Sequence, residues 1–217
     1  MRKLVVSTFV SLDGVMQAPG GPDEDPTSGF AHGGWSFNYW DEVMDQVMGE
    51  ALGAPFDLLL GRKTYEIFAA HWPHAGESPA AASLNAAHKY VASRTLDRVS
   101  WGPATPVRDV PGEVAKLKAG DGVEIQVHGS ADLIQTLLEH GLIDEMRVWT
   151  FPVLLGSGKR LFAGGTMPGS LKLVGSTVST SGVIIATYRP AGPIQYGSFA
   201  LEEPTPAEVE RREHLGV

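Results

Sequence analysis

The sequence predicts an α/β protein with a mixed, mostly parallel sheet that is flanked by helices and ends in an antiparallel hairpin. Over the first two thirds of the 217 residues, apolar runs of strand length alternate with helical patterns; two long β runs then follow each other with no helix between them. Parallel neighbours require a crossover connection, whereas the final pair can be joined by a tight turn. The length suits one domain of this kind.

Seven runs are predicted as strands because they are rich in β-branched and other apolar residues and are bounded by Gly, Pro, Asp or Ser. The Ser181-Gly182 pair between the last two runs is typical of a hairpin turn. The predicted strands are Lys3–Val10, Phe56–Leu60, Lys89–Ala92, Val123–His128, Met146–Phe151, Leu171–Ser179 and Val183–Tyr188.

Four helices are predicted from apolar residues at helical spacing. Gly53 and Pro55 stop the first of them, and Gly141 follows the last as a residue type that favours the left-handed conformation after a helix. The predicted helices cover Tyr39–Leu52, a segment that starts near Thr64, Glu113–Lys118 and Ser130–His140.

Residues 1–190 are interpreted as one domain, and residues 191–217 as an acidic tail that is punctuated by Pro and carries a short helical pattern after Pro206. Such a tail is expected to pack on the core or on a neighbouring subunit. The segment Gln17–Asn38 is a long loop rich in Gly, Pro and Asp between the first strand and the first helix. Loops of that length inside a compact domain are usually functional or mobile.

Composition excludes several classes of protein. The chain has 17 Lys and Arg against 25 Asp and Glu, a formal net charge of −8, which disfavours binding to nucleic acid or to an anionic membrane. The first apolar run is too short for a signal peptide or a membrane span, so we expect a cytoplasmic protein. Without Cys there is no thiol nucleophile and no cysteine-ligated zinc. No metal site is predicted, because Pro73 separates His71 from His74 and no third ligand is evident.

Three predicted strands end in residues that suit an anion. Gly61-Arg62-Lys63-Thr64 and Gly129-Ser130 each open a helix, whose first N–H groups and positive dipole end attract phosphate. Ser93-Arg94-Thr95 offers two hydroxyls and a guanidinium, which suit a phosphate monoester. Each segment alone also fits a simple turn or helix cap. The carboxyl ends of parallel strands meet at one edge of a sheet, however, so together the segments predict a ligand site there.

The first strand is followed by the best candidate for a catalytic carboxylate. Asp13 lies beside Gly14 and the long loop, in a position from which it could contact the substrate. An Asp-Gly pair suits a plain turn equally well. Asp41 and Asp45 on the first helix are weaker alternatives, because their pattern is also that of a solvated helix face.

Two loops are predicted to complete the substrate side. Residues 156–160 read Gly-Ser-Gly-Lys-Arg, which fits neither the Walker nor the dinucleotide fingerprint but offers two cations for a substrate phosphate or carboxylate. Trp35 in the long loop can cover a flat ring, or simply anchor the loop to the core. The predicted substrate-binding residues are Asp13, Gly14, Trp35, Gly156, Lys159 and Arg160.

Together these segments resemble the dihydrofolate reductase superfamily, in particular the branch that contains the reductase domain of bacterial riboflavin biosynthesis proteins and its stand-alone relatives. The resemblance covers about Met1 to Arg189. It implies a three-layer fold with an eight-stranded sheet, NADPH as the cofactor, a small-molecule substrate and a homodimer. The motifs that carry it are Ser11 to Val15, Leu60 to Glu66, Ser93 to Thr95, His128 to Leu133, Gly141 to Glu145 and Pro152 to Phe162.

The resemblance also implies roles for the cofactor residues. The residues expected along the adenosine and diphosphate are Gly61, Arg62, Lys63 and Thr64. Those expected to hold the 2′-phosphate are Ser93, Arg94 and Thr95. Those expected to cap the pyrophosphate are Gly129, Ser130, Ala131, Asp132 and Leu133. The chain departs from the family in having His128-Gly129-Ser130 at the loop that opens the helix, where a double glycine is frequent. The sequence shows neither a deaminase domain nor Cys, so we do not expect the bifunctional enzyme.

The expected function is an NADPH-dependent reductase that transfers a hydride to a small heterocyclic or sugar-linked substrate, such as a ribosylaminouracil phosphate or a pterin. One alternative is a protein of the same fold that binds NADP or serves as a dimeric scaffold without turnover. The other is a true dihydrofolate reductase. It is disfavoured because residues 12–16 lack the tryptophan-bearing loop of such enzymes.

Overall fold

The computed structural model describes residues 1–216, so that Val217, the end of the predicted tail, lies outside the described residues. The strands are β1 (Leu4–Ser11), β2 (Phe56–Gly61), β3 (Lys89–Ala92), β4 (Ala104–Val107), β5 (Glu124–His128), β6 (Glu145–Phe151), β7 (Leu171–Val178) and β8 (Ile184–Pro190). The α-helices are α1 (Glu42–Leu52), α2 (Arg62–His71), α3 (Pro79–Ala86), α4 (Val110–Ala119), α5 (Ala131–Glu139) and α6 (Pro206–Leu215).

All eight strands form one sheet in the order β4-β3-β2-β5-β1-β6-β8-β7. The first six strands of this order are parallel to one another, whereas β8 runs antiparallel to both β6 and β7. In the register of the central strand, Ser7 lies beside His128 of β5 and beside Arg147 of β6. The predicted fold class is therefore confirmed, including the C-terminal antiparallel hairpin.

Helices cover the two faces of the sheet and make three layers. On one face, Val6 and Ile125 are fully buried against Leu137 of α5 and Val114 of α4. The opposite face is covered by α1, α2 and α3, which contribute Leu52, Tyr65 and Leu84 to a second cluster. Strands that are buried on both faces read as continuous apolar runs, which is why periodicity marked them in the sequence.

Helix α1 packs on an aromatic group at the carboxyl ends of β1 and β6. Trp149 and Phe151 of β6 are buried there and lie within 5.3 Å of the Phe9 ring, measured between ring centroids. The helix begins at Glu42, later than the predicted Tyr39, because the Asp41 side chain accepts a hydrogen bond from Met44 N (3.0 Å) and caps it.

Two elements were not predicted from the sequence. The short strand β4 contains Pro106, which cannot donate to a ladder and is tolerated here because β4 is the edge strand of the sheet. Helix α3 is rich in Ala and has no apolar stripe; its start is marked by Ser78, whose hydroxyl accepts from Ala81 N (3.1 Å). α2 also begins earlier than the predicted Thr64.

The last strands and the tail are the most exposed part of the chain. All eight residues of β7 are exposed. After β8, the only described α-helix is α6, which begins at Pro206 as the pattern predicted. Within residues 1–216, no helix has the length and apolar content that a membrane crossing needs.

Candidate functional site

The strand ends predicted to bind an anion meet at one edge of the sheet. The paired residues of β2 and β5 end at Leu58 and Gln126. Beyond them, the end of β2 and the segment after β5 are joined through the side chain of Ser130. Its hydroxyl accepts from Gly61 N (3.0 Å) and lies 2.6 Å from the Thr64 hydroxyl. The predicted cofactor segments 61–64 and 129–133 are therefore in direct contact.

Ser130 has a backbone conformation that is unusual for a residue with a side chain. Its φ of 68° lies in the left-handed region, and its side chain makes no capping bond to its own helix. A Cβ added at Gly61 would lie 2.6 Å from Ser130 Oγ, so a glycine is needed opposite. The preceding Gly129 also has a positive φ (78°), and an added Cβ there would meet only Met16, at 3.9 Å. The backbone at Gly129 is thus open to a ligand.

The two helices at this edge are the ones whose N-termini lack a side-chain cap. Among the described α-helices, the side chains of Asp41, Ser78, Asp109 and Thr205 cap α1, α3, α4 and α6. Helices α2 and α5 have none. The first intrahelical bond of α5 is donated by Ile134 N to Ser130 O (3.0 Å), which leaves the N–H groups of residues 131–133 ahead of it. The carboxylate of Asp132 also lies in this first turn and is exposed to solvent.

The remaining predicted anion segment, residues 93–95, forms a turn that is held by the Ser93 side chain. The Ser93 hydroxyl accepts from Thr95 N (3.3 Å) and Leu96 N (3.0 Å), and Arg108 donates to Ser93 O (2.7 Å). Arg62 links this turn to α2 by donating to the Thr95 hydroxyl (2.9 Å). Arg94 is exposed at its tip. Lys63 is exposed on the first turn of α2.

His128 lies at this edge but was not among the predicted site residues. It ends β5 directly before Gly129, and its Nε2 lies 2.9 Å from the side-chain oxygen of Gln126. Burial, and secondarily the charge of Arg147, lowers the pKa of His128 to about 4. It is therefore neutral at physiological pH. A histidine at a strand end gives no sequence signal for such burial.

Asp13 is held by the loop that faces it. Its carboxylate accepts from Ser11 Oγ (2.6 Å), Leu155 N (3.1 Å) and Gly156 N (2.8 Å). These bonds, that of Ser11 foremost, lower the pKa of Asp13 to about 2. A carboxylate of that pKa is ionised at neutral pH. The geometry is that of the turn alternative, in which Asp13 fixes a loop.

The loop after β6 runs antiparallel to the segment after β1. Leu161 N donates to Gly14 O (3.0 Å), and Arg160 donates to Gly156 O (2.8 Å) and to Asp13 O. Lys159 pairs with Asp25 of the long loop and donates to the Thr27 hydroxyl (2.9 Å). Both cations predicted to bind substrate thus have protein partners. The structure brings Asp13, Gly14, Gly156, Lys159 and Arg160 together as one frame.

The long loop is pinned to the body of the protein. The Trp35 indole donates to Gln17 O (2.8 Å) and meets Phe151 edge-on, with ring centroids 5.2 Å apart. Gly34 N donates to Ala18 O (2.8 Å), which draws the two ends of the loop together. Loops of this length are usually functional or mobile, but here the chain itself supplies hydrogen-bond and ring partners for the loop. Trp35 takes the anchoring role.

A cavity of about 300 Å³ lies between the long loop and the loop after β6. Its lining includes Gln17, Ser28, Phe30 and Lys159. Gly158 forms part of it with a φ of 128°, where an added Cβ would lie 2.6 Å from Val15. The tight approach explains Gly158 as a packing requirement, whereas an added Cβ at Gly156 would meet no atom within 4 Å and its glycine suits a φ of 75°.

The two weaker candidate carboxylates differ in their surroundings. Asp41, besides capping α1, accepts from the Thr180 hydroxyl (2.7 Å) and Ser181 N (3.1 Å), so it ties the β7–β8 turn to α1. Asp45 is exposed and accepts from the indole N–H of Trp40 (2.6 Å). The Trp40 ring is 37% exposed and stacks on Trp149, with 5° between the ring planes. Trp40 therefore presents an exposed aromatic ring, backed by the buried Trp149, with the Asp45 carboxylate beside it.

Comparison with known proteins gives a family. The model of the RibD C-terminal domain matches residues 2–185. The uncharacterized protein YyaP of Bacillus subtilis is 29% identical over 193 residues, which cover 86% of this chain and 94% of that protein.

Solved structures support the same fold. A protein of Shewanella sp. PV-4 ascribed to riboflavin biosynthesis aligns with a TM-score of 0.60 at 23% identity, covering 87% of this chain and 99% of that one. Dihydrofolate reductase from Enterococcus faecalis, solved with NADP(H), aligns with a TM-score of 0.55 at 15% identity, over 87% and 96% of the two chains. At these identities the likeness shows the fold.

Proposed function

The chain belongs to the RibD C-terminal domain family, a family of reductase type, and from that membership we propose that residues 1–190 form an NADPH-dependent reductase. The substrate we propose is a small heterocycle or a sugar-linked heterocycle. The observation that carries the proposal is the pair of uncapped helix N-termini, α2 and α5, which adjoin at Ser130 where the predicted cofactor segments meet.

The diphosphate of the cofactor is proposed to lie across these two N-termini. Unpaired N–H groups and positive dipole ends suit a doubly charged group without any net positive charge on the protein. The open backbone at Gly129 allows close approach. The exposed cations Arg62 and Lys63 would stand at the outer side of the diphosphate.

The 2′-phosphate is proposed to bind at the turn formed by residues 93–95. The guanidinium of Arg94 is exposed, and none of the described residues accepts a hydrogen bond from it. A planar cation with five donors suits a phosphate monoester. The turn itself is fixed by Ser93 and Arg108, so Arg94 is presented from a preformed backbone.

The substrate is proposed to bind on the side of β1 and β6. The frame of Asp13, Gly14, Gly156, Lys159 and Arg160 holds the two loops together, and Trp35 anchors the long loop to Phe151. In this proposal Asp13 is a positioning residue. Asp45, with the exposed ring of Trp40, is the carboxylate available to a planar substrate.

The chemistry divides between the cofactor and the chain. The nicotinamide supplies the hydride when it is bound. The residues of this chain bind and orient the two reactants at the carboxyl edge of the sheet, and the long loop and the loop after β6 exclude water from that edge. His128, which directly precedes Gly129, is neutral at physiological pH and adds no charge beside the proposed diphosphate site.

Binding tests this assignment directly. Gly61→Ala places a Cβ 2.6 Å from Ser130 Oγ and should weaken NADPH binding by roughly tenfold, or ~1.4 kcal/mol. The matched control is Gly49→Ala, because Gly49 lies in α1 with no atom within 4 Å of an added Cβ. Equal affinity of the two variants in a calorimetric titration would overturn the cofactor site.

Turnover tests the reductase. NADPH absorbance should fall when the protein is supplied with one of a panel of pyrimidines, pterins, flavins and quinones. Asp45→Asn should lower the rate and leave NADPH affinity unchanged. NADPH binding without oxidation by any member of the panel would support a binding protein of the same fold instead.

A further inference from the structure

Charge is divided unequally between the two sides of the proposed site. Residues 12–45, which run from the end of β1 through the long loop into α1, hold seven Asp and Glu and no Lys or Arg. The loop after β6 (residues 152–166), which completes what we call the substrate side, adds only Lys159 and Arg160. The proposed cofactor segments 61–64 and 93–98 instead hold four Lys and Arg and one Asp. An anionic group is therefore attracted to the cofactor segments and disfavoured on the substrate side.

The two cations of the substrate side are already paired with carboxylates of the same side. Lys159 forms an ion pair with Asp25 of the long loop. Arg160 Nη2 lies 3.7 Å from the Asp13 carboxylate, and the same guanidinium donates to Gly156 O (2.8 Å) and to Asp13 O. A phosphate or carboxylate on the substrate would have to displace these partners, so neither cation is a ready site for an anion.

Another cation lies on the sheet face that carries the stacked indole rings of Trp40 and Trp149. Arg147 precedes Trp149 by two residues on β6, and alternation along a strand places both side chains on one face. Arg147 Nη2 lies 3.3 Å from the Glu145 carboxylate and 3.7 Å from that of Glu124. Arg147 is therefore also committed to carboxylates of the protein. Glu145 has two further cationic partners, Lys3 and Arg189.

The carboxylates at the start of α1 have no cationic partners. Asp41, Glu42 and Asp45 form no ion pair within residues 1–216. Asp45 is exposed, and one of its oxygens accepts from the indole N–H of Trp40 (2.6 Å). Its other oxygen accepts no hydrogen bond from the described chain. A carboxylate in this state attracts N–H groups and cations, and it repels a second anion.

The aromatic ring beside Asp45 rests on a buried donor that lacks an acceptor. Trp40 is 37% exposed and stacks on Trp149, which is 1% exposed. Trp149 Nε1 is buried, and no atom of residues 1–216 accepts its hydrogen bond. Buried donors are nearly always paired, so this N–H indicates an acceptor from outside the described chain. A heterocycle with carbonyl and N–H groups on one edge offers an acceptor for Trp149 and a donor for Asp45.

We propose that the substrate side takes a planar heterocycle that is neutral or cationic at neutral pH and carries neither a phosphate nor a carboxylate. Its ring stacks on Trp40, and a ring N–H donates to Asp45. The inference rests on the proposed reductase, because it names the substrate class of that same site. It excludes the ribosylaminouracil phosphate considered from the sequence, and it replaces the expectation that Lys159 and Arg160 receive a substrate anion.

Riboflavin and its 5′-phosphate test the charge of the substrate. The two probes share one ring, with carbonyl and N–H groups on its edge, and differ by a phosphate of charge about −1.5 to −2 at pH 7. Flavin fluorescence measures binding, with NADP⁺ present at saturation to keep the phosphate out of the cofactor segments. Riboflavin should bind at least ~tenfold more tightly than its phosphate. Equal or tighter binding of the phosphate, or binding of neither flavin, would overturn the proposal.

Salt separates charge from shape as the cause of this preference. The Debye length falls from about 10 Å at 0.1 M salt to about 3 Å at 1 M, so repulsion between exposed charges is largely screened at the higher concentration. The ratio of the two flavin affinities should therefore shrink toward one. A ratio that is the same at both concentrations would assign the preference to shape and refute the charge argument.

Asp25→Asn tests whether the paired cations exclude an anion because they are paired. The variant frees Lys159, so it should narrow the ratio of the two flavin affinities by about fivefold. Asp23→Asn removes the same charge from an exposed position of the same loop and should leave the ratio within about twofold. Because both flavins are titrated on one sample, a partly unfolded variant does not change the ratio. Equal narrowing in the two variants would overturn pairing as the cause.

Asp45→Asn tests the proposed contact with the ring. It should weaken riboflavin binding by about fivefold, whereas Glu50→Gln, which removes a charge from another exposed position of α1, should leave it within about twofold. Equal affinities of the two variants would overturn the contact. Titration of NADP⁺ on the same samples separates this inference from the reductase. A wild type that prefers riboflavin but binds no NADP⁺ would overturn the reductase alone, and one that binds NADP⁺ but prefers the phosphate would overturn the inference alone.

Discussion

Arg94 is the residue on which the choice between NADPH and NADH is expected to depend. Arg94→Ala removes a guanidinium that is exposed beside the Ser93 turn, and it should weaken NADPH binding by ~1.5–3 kcal/mol, the scale of a charge-assisted hydrogen bond. NADH affinity should hardly change, because NADH has no 2′-phosphate. The control is Arg98→Ala, an exposed arginine in the same segment. Parallel titrations with the two cofactors decide the matter, and an equal loss for both would refute the assignment.

Asp13 is expected to act on stability through the loop it holds. Its pKa is lowered to about 2, so its hydrogen bonds to Ser11, Leu155 and Gly156 stabilise the fold fully above the ordinary pKa of 3.8. That contribution is lost as pH falls through the interval from 3.8 to about 2. Asp13→Asn should therefore lower the urea midpoint at neutral pH, and its difference from wild type should shrink toward pH 2. Asp121→Asn, at an exposed position, should match wild type throughout.

At the scale of elements, Lys89 connects β3 to α3. The side chain is fully buried, donates to Asn85 O (2.6 Å) and lies 4.2 Å from the centre of the Trp101 ring. Burial lowers its pKa to about 8 from 10.5. Between these two values the unfolded chain binds more protons than the folded one, so the free energy of unfolding rises with pH across that interval.

Lys89→Met should remove this rise, because methionine keeps the apolar stem without the charge. Urea denaturation at about pH 7 and pH 10 measures it as the change in the difference between variant and wild type. Lys116→Met, at an exposed position of α4, should show the pH dependence of wild type. A rise of equal size in Lys89→Met would assign it to other groups.

The elements also show what the sequence could predict. Parallel strands with both faces buried leave a continuous apolar signature, and Leu58, Leu59 and Leu60 of β2 are all fully buried. Apolar runs of strand length predicted seven of the strands and the alternation with helices, although β7 lies exposed in an antiparallel pair. β4 escaped because a four-residue edge strand containing Pro106 has no such signature. α3 escaped because eight residues rich in Ala show no stripe.

The site was predictable to the extent that it depends on strand ends. Gly61, Ser93 and Gly129 follow buried strands, and the topology alone brings them to one edge. Contacts between distant segments were not predictable. Nothing local indicates that Asp13 is bonded by the backbone of residues 155 and 156, or that Asp41 is shared between α1 and the β7–β8 turn.

At the scale of the whole molecule, few contacts join the proposed cofactor side, at α2, α5 and the Ser93 turn, to the proposed substrate side, at the ends of β1 and β6. Met16, directly before the long loop, is the neighbour of Gly129 on the proposed cofactor side. The long loop itself makes its hydrogen bonds and ring contacts within the loop, with Phe151 and with the loop after β6. This division predicts that the loop can be changed without loss of the cofactor site.

Shortening the long loop between Gly20 and Gly33 tests the division. The deletion is feasible because Gly34 N donates to Ala18 O (2.8 Å) and Ser36 Oγ donates to Pro19 O (2.7 Å), so the ends to be joined already lie together. The deletion removes Asp25, the partner of Lys159, and Phe30, which lines the cavity. Turnover should fall sharply, because water would reach the site during hydride transfer.

NADPH affinity should stay within about threefold of wild type, which is ~0.7 kcal/mol, because no residue of the deleted segment contacts α2, α5 or the Ser93 turn in the described hydrogen bonds. Lys159→Met, in a chain that keeps the whole long loop, is a milder variant, because it breaks the ion pair with Asp25 and leaves the long loop in place. It should lower turnover less than the deletion does. If the deleted protein kept its fold and lost NADPH binding, the long loop would belong to the cofactor side.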